Sequence, residues 1–84
     1  MSLLDRVNAV IGANLKLDVG ELPDATSPAE LEAWDSLAHV MVMVGLEQAL
    51  EISISEDEME AVGTLGDVRR LAYAKLDQPY LADV

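Results

Sequence analysis

Apolar residues recur along this chain at helical spacing in three long stretches and one short one. Leu3, Leu4, Val7, Val10, Ile11, Asn14 and Leu15 follow an i, i+3, i+4, i+7 order, which lines up side chains on one helix face. Ser2 is placed to cap that helix, with Asp5 three residues on, and its end is expected near Asn14–Leu17. Gly12 weakens it by about 1 kcal/mol relative to alanine if exposed. The period then fails over residues 16–33, where Gly20, Pro23 and Pro28 break it. Within this long connection Ser27-Pro28-Ala29-Glu30 has the residues for a turn of helix, and Leu17, Val19, Leu22 and Leu31 can pin the loop to a core. Trp34 is read chiefly as a packing residue, placed to staple the entry of the next helix.

The next helix, from Asp35 to about Leu50, carries two apolar stripes. Asp35 is its N-cap and Ser36 its first residue. Leu37, Val40, Met41 and Val44 form one stripe; Val42, Met43, Leu46, Ala49 and Leu50 form the other. One such stripe suffices for a surface helix of a small domain. The second therefore either completes a helix gripped on most sides or meets something outside the fold. Gly45 implies close approach by a neighbouring backbone, and Glu47 and Glu51, four apart with no basic partner on the helix, imply a solvated end.

Glu51-Ile52-Ser53-Ile54 alternates but is too short for a sheet, and reads as an extended linker whose isoleucines plug the core. Ser55-Glu56-Asp57-Glu58 is a capping box that opens a short helix to about Ala61. Thr64-Leu65-Gly66-Asp67 starts the last helix, with Leu65, Val68, Leu71, Ala72 and Leu76 inward and Arg69, Arg70 and Lys75 favouring its negative C-terminal end. Asp77-Gln78-Pro79 stops it, and residues 77–84 read as a loose tail. The expectation is an all-α domain spanning 1–84, a small bundle of three longer helices and one short one, with a long loop between the first and second.

Composition narrows the chemistry. A chain of 84 residues buries only about 60% of its unfolded surface. It has no cysteine, so disulfides, thiolate zinc sites and thiol catalysis are excluded, and any thiol must come from outside the sequence. No stretch has the apolar length of a membrane span and the opening MSLLDR lacks a signal layout, so a cytoplasmic place is expected. Sixteen acids against five bases give a formal net charge of −11, with no Lys or Arg between Lys16 and Arg69. Nucleic acid and anionic membranes are therefore poor partners, and basic protein surfaces better ones.

Asp35, Ser36 and His39 lie together, but a hydrolytic triad needs the acid behind the histidine and a prepared oxyanion hole, which adjacency does not supply. No G-x-S-x-G elbow is present either. His39 is read as a solvent-facing or partner-facing ring. The acids Glu56, Asp57, Glu58 and Glu60 belong to a helix start and lack the alternating ligands and central glycine of a calcium loop, so no metal site is assigned.

Asp35-Ser36-Leu37, the Gly45-Leu46-Glu47 stretch, the Glu51–Ile54 linker, acidic Ser55–Glu60 and the Thr64–Leu65 helix start resemble the acyl carrier proteins over nearly the whole chain. The three-residue DSL motif is weak alone; its place in an acidic four-helix pattern of this length makes it specific. The resemblance implies a carrier without catalytic activity. Its Ser36 would take a 4′-phosphopantetheine arm from coenzyme A, delivered by a phosphopantetheinyl transferase, with Asp35 and Leu37 completing the motif. The arm's thiol would hold a substrate as a thioester for fatty-acid, polyketide or related synthesis. Leu37, Val40, Met41, Val44 and Glu47 would dock partners, which are acyl- or aminoacyl-loading ligases or synthases; the carrier itself is expected to be a monomer. Val42, Met43, Leu46 and Leu50 would line a core open to an acyl chain.

An aminoacyl or peptidyl carrier loaded by an adenylating ligase shares the same arm and fold, and a helical adaptor that is never pantetheinylated is the reading outside that class. One departure stands out: carriers of fatty-acid synthesis usually have acids just after DSL, where this chain has Ala38, His39, Met41 and Val42. A partner chosen by basic patches against this face is correspondingly disfavoured, and a dedicated ligase or secondary-metabolic enzyme is favoured.

Overall fold

A computed structural model describes residues 2–80 and contains four α-helices: α1 (Leu3–Leu15), α2 (Ser36–Leu50), α3 (Glu56–Ala61) and α4 (Leu65–Lys75). A single 3-10 turn, Pro28–Glu30, interrupts the long loop, and there is no strand among the described residues. Each helix starts at the residue whose side chain can take up a free N–H of its first turn. Ser2 Oγ accepts from Asp5 N–H (3.1 Å), Asp35 Oδ1 from Ala38 N–H (2.8 Å), Ser55 Oγ from Glu58 N–H (3.1 Å) and Thr64 Oγ1 from Asp67 N–H (3.1 Å). Such a cap contributes about 1 kcal/mol. In the 3-10 turn Glu30 reaches back to the Ser27 N–H at 2.8 Å, so the expected turn of helix is present.

The core is built by Val7, Ile11 and Leu15 of α1, Val42, Met43, Leu46 and Leu50 of α2, and Leu65, Val68 and Ala72 of α4. Val19, Trp34 and Ile54 close it from the connections, Ile54 as the linker reading expects. Helix α3 contributes no buried residue. Ala49, placed in the inner stripe by its spacing, is exposed instead; its carbonyl accepts from Arg6 Nη2 at 3.1 Å. Gly45 does mark a close approach, but by side chains of α1 and not by backbone: a Cβ there would lie 2.9 Å from Asn14 Nδ2 and 3.0 Å from Val10 Cγ1.

The long loop is held more firmly than its composition suggests. Leu65 N–H and Gly66 N–H, free donors at the start of α4, bond to Thr26 O and Asp24 O, each at 2.9 Å. Arg69 is only 4% exposed and points inward, not along the helix end as its charge alone implied. Its guanidinium donates to Val19 O (2.8 Å), Leu22 O (3.1 Å), Asp24 Oδ1 (2.7 Å) and Asn8 Oδ1 (2.9 Å). A buried guanidinium is tolerable only with its donors met this way. Arg70 instead pairs with Asp67 at 3.1 Å, and Lys75 with Glu58 at 2.7 Å, tying α3 to α4.

As far as Tyr80, the segment that follows α4 makes contacts of its own. Gln78 N–H bonds to Tyr73 O at 2.9 Å, the Tyr73 and Tyr80 rings meet at 5.0 Å, and Tyr80 Oη donates to Asp24 at 2.8 Å. Residues 81–84 lie outside the described residues.

Candidate functional site

Ser36 is the first residue of α2, and its side chain is exposed. Two local facts put it there. Asp35 stops the extended chain and spends one carboxylate oxygen on Ala38 N–H. Trp34, buried against the core, anchors the segment immediately before it. The hydroxyl is thus presented at the positive end of a fifteen-residue helix, where the first backbone N–H groups have no helical acceptor. Beside it opens a hollow of about 680 Å³, floored by Trp34, Met59 and Val62 and rimmed by Asp35, Glu56 and Glu60. Pro28, His39 and Val40 complete its lining. A phosphate ester at Ser36 would meet helix-start amides, and an attached organic chain would find apolar surface within reach.

His39 is not the solvent-facing ring its place on the helix suggested. It is half-buried and bonded at both nitrogens: Trp34 Nε1–H donates to Nδ1 at 3.1 Å, and Nε2 lies 2.8 Å from Met59 O. An indole nitrogen can only donate and a carbonyl can only accept, so the network assigns the neutral ring with its proton on Nε2. The two rings lie 5.9 Å apart, tilted by 33°. With both nitrogens engaged, His39 has none left to act as a base toward Ser36. The link was missed in the sequence; the available signal was an indole and an imidazole five residues apart across a helix cap.

The outer stripe of α2 stays uncovered. Leu37 is 71% exposed, Val40 43%, Met41 49% and Val44 37%, while Val42, Met43, Leu46 and Leu50 are buried. Glu47, grouped with the outer stripe in the sequence, is half-buried, and its Oε2 accepts from Ile54 N–H at 2.9 Å. Its end of the helix is therefore not simply solvated: the linker turns back and uses the carboxylate as an acceptor. Along α3, the hydrogen bond from Lys75 and the capping N–H of Ser55 hold the Glu58 carboxyl below its ordinary value. Among the described residues no three acid or histidine side chains converge as metal ligands, and no helix is long and apolar enough to cross a membrane.

No family model matches the chain. It is 33% identical over 67 residues to an acyl carrier protein of Sulfurovum sp. (strain NBC37-1), covering 80% of this chain and 89% of that protein. An acyl carrier protein of Prochlorococcus marinus (strain MIT 9515) is 31% identical over 74 residues, which are 87% of this chain and 91% of that one. The solution NMR structure of the holo acyl carrier protein from Geobacter metallireducens matches the fold with a TM-score of 0.78. It shares 30% identity over 92% of this chain and 88% of its own.

Proposed function

The chain belongs to the acyl carrier protein family, and on that premise we propose that Ser36 is the point at which a 4′-phosphopantetheine arm from coenzyme A is attached. Its relatives are carriers, so the chemistry done to the cargo is that of partner enzymes. When bound, the arm supplies a terminal thiol that holds an acyl group as a thioester, a function this cysteine-free chain cannot perform with its own side chains. The single observation that carries the reading is the exposed Ser36 side chain at the head of α2, beside an open, apolar-floored hollow.

The chain's own contributions follow from the geometry. Ser36 offers an oxygen that an approaching transferase can reach without unfolding anything. The α2 N-terminus favours the resulting phosphodiester through its dipole and its unpaired N–H groups. Asp35 keeps that first turn in place through its bond to Ala38 N–H. Leu37, Val40, Met41 and Val44 are the face offered to the transferase and to the loading ligase or synthase, a helix laid into a groove. Tethering then raises the local concentration of cargo at each partner by way of a flexible link.

Incubating the protein with coenzyme A and a broad-specificity phosphopantetheinyl transferase should add the mass of one arm. Ser36→Ala should remain at its starting mass. An unmodified wild type, or a modified Ser36→Ala, would overturn the assignment.

A further inference from the structure

Helix α3 forms one wall of the hollow beside Ser36, yet little holds that wall in place. Six residues long, it buries none of them fully. Its capping box is internal, its Lys75–Glu58 pair is partly exposed on the side of α4, and only Met59 and Val62 lean on the core. Against this background the bond between His39 Nε2 and Met59 O, 2.8 Å long, ties α3 directly to α2. Behind it the Trp34 indole, fixed in the core, donates to the other ring nitrogen and sets the ring's orientation.

We propose that His39 is a positioning residue for the Ser36 site: it clasps α3 to Trp34 and α2, and so sets the width of the hollow that opens at the serine. The inference rests on reading Ser36 as the attachment point. Releasing the clasp leaves Glu56, Met59 and Glu60 on a wall that can swing. The chain then spends only part of its time in the shape a transferase recognises, and apparent affinity falls by that fraction.

The clasp exists only with the neutral ring. A proton added at Nδ1 sets an N–H against the indole N–H, which has no way to accept. The other ionisable groups around the hollow are Asp35 on the α2 cap and Glu56 and Glu60 on α3, with the Glu58–Lys75 pair beyond; among the described residues no cation lines it. His39 is the only histidine and Trp34 the only tryptophan, so the bond and its reporter are both unambiguous.

Two substitutions separate the roles. His39→Gln retains one acceptor and one donor at the side-chain end; His39→Leu retains bulk and neither. The indole N–H resonance of Trp34 is recorded by NMR together with the coupling across the hydrogen bond between Trp34 Nε1 and His39 Nδ1, and transferase kinetics are measured with coenzyme A at the same pH. The wild type should show that coupling; the indole of His39→Gln should stay close to the wild-type position, and that of His39→Leu should be displaced. In His39→Leu the KM for the carrier should rise about three- to tenfold, the scale of one net hydrogen bond, with kcat unchanged; His39→Gln should restore it. A wild type without the coupling, a His39→Leu indole at the wild-type position, or a wild-type KM in His39→Leu overturns the proposal. Should His39→Leu not fold, the coupling in the wild type still decides whether the clasp exists. A wild type that takes no arm defeats the Ser36 reading and the positioning role with it, whereas the coupling judges the clasp independently of any arm.

Discussion

Gly66, in the first turn of α4, has no room for a methyl group. A Cβ there would stand 2.6 Å from Asp24 Cβ and 3.0 Å from Asp24 O. Helix propensity alone favours alanine by about 1 kcal/mol, but the loop opposite cannot retreat. Asp24 is fixed by Arg69, by Tyr80 and by its own carbonyl on Gly66 N–H. The clash should win, and Gly66→Ala should lower stability by about 1–3 kcal/mol. Gly63→Ala is the matched control, because its nearest neighbour is Asp67 Oδ2 at 3.8 Å. Urea unfolding of both variants decides the point; equal midpoints would mean that the loop gives way. Gly12 teaches the same lesson. The sequence marks it as a weak spot in α1, whereas a Cβ there would meet Leu17 O at 2.6 Å where the chain doubles back through left-handed Lys16.

At the scale of elements, the caps and periods that define α1 to α4 are local, and local signals are what a sequence displays openly. Asp35, Ser55 and Thr64 each announced their helix because the acceptor and the N–H it serves lie three residues apart. The partners of Arg69 do not: Asn8, Val19, Leu22 and Asp24 stand 45 to 61 positions away, and nothing in the order of residues says that the long loop folds under α4. The bond of Glu47 to Ile54 N–H was hidden for a similar reason, since Ile54 lies past the helix end. The site divides the same way. Ser36 and its cap were legible, and so were two stripes on α2, but periodicity could not say that the Leu37–Val44 stripe is the uncovered one. That stripe carries a prediction about α2 as a docking element. Met41→Glu places a charge on a residue 49% exposed, so stability should change by less than about 0.5 kcal/mol. Loading by the cognate partner should nevertheless fall, by about tenfold or more if Met41 sits at the centre of the contact. Undiminished loading kinetics would move the docking face off this stripe.

Over the whole molecule, a net charge of −11 and the buried Arg69 cluster pull the acid response in opposite directions. Acidification toward the sequence pI of about 4.1 relieves the mutual repulsion of sixteen acids, which should preserve or raise stability on the way down from neutrality. Asp24 works the other way. Burial pushes its carboxyl up, but hydrogen bonds from Arg69 and Tyr80 and the charges of Arg69 and Arg70 outweigh that, leaving it below its ordinary 3.8. The Gly63 N–H, with Arg70 and Thr64, does the same for Asp67 against its own burial. A carboxyl depressed in the folded state contributes stability that is complete above the unfolded value and is lost as pH falls through the folded one. The contribution of Asp24 should therefore be undiminished from pH 7 to about 4 and disappear only in stronger acid. Asp24→Asn removes the negative partner of a buried guanidinium that keeps its three other acceptors, which should cost about 2 kcal/mol at pH 7. The urea midpoints of wild type and Asp24→Asn, measured as a function of pH, should run parallel down to about pH 4 and converge below it. A gap that closes well above pH 4 would mean that the charge of Asp24 is not what secures the loop beneath α4.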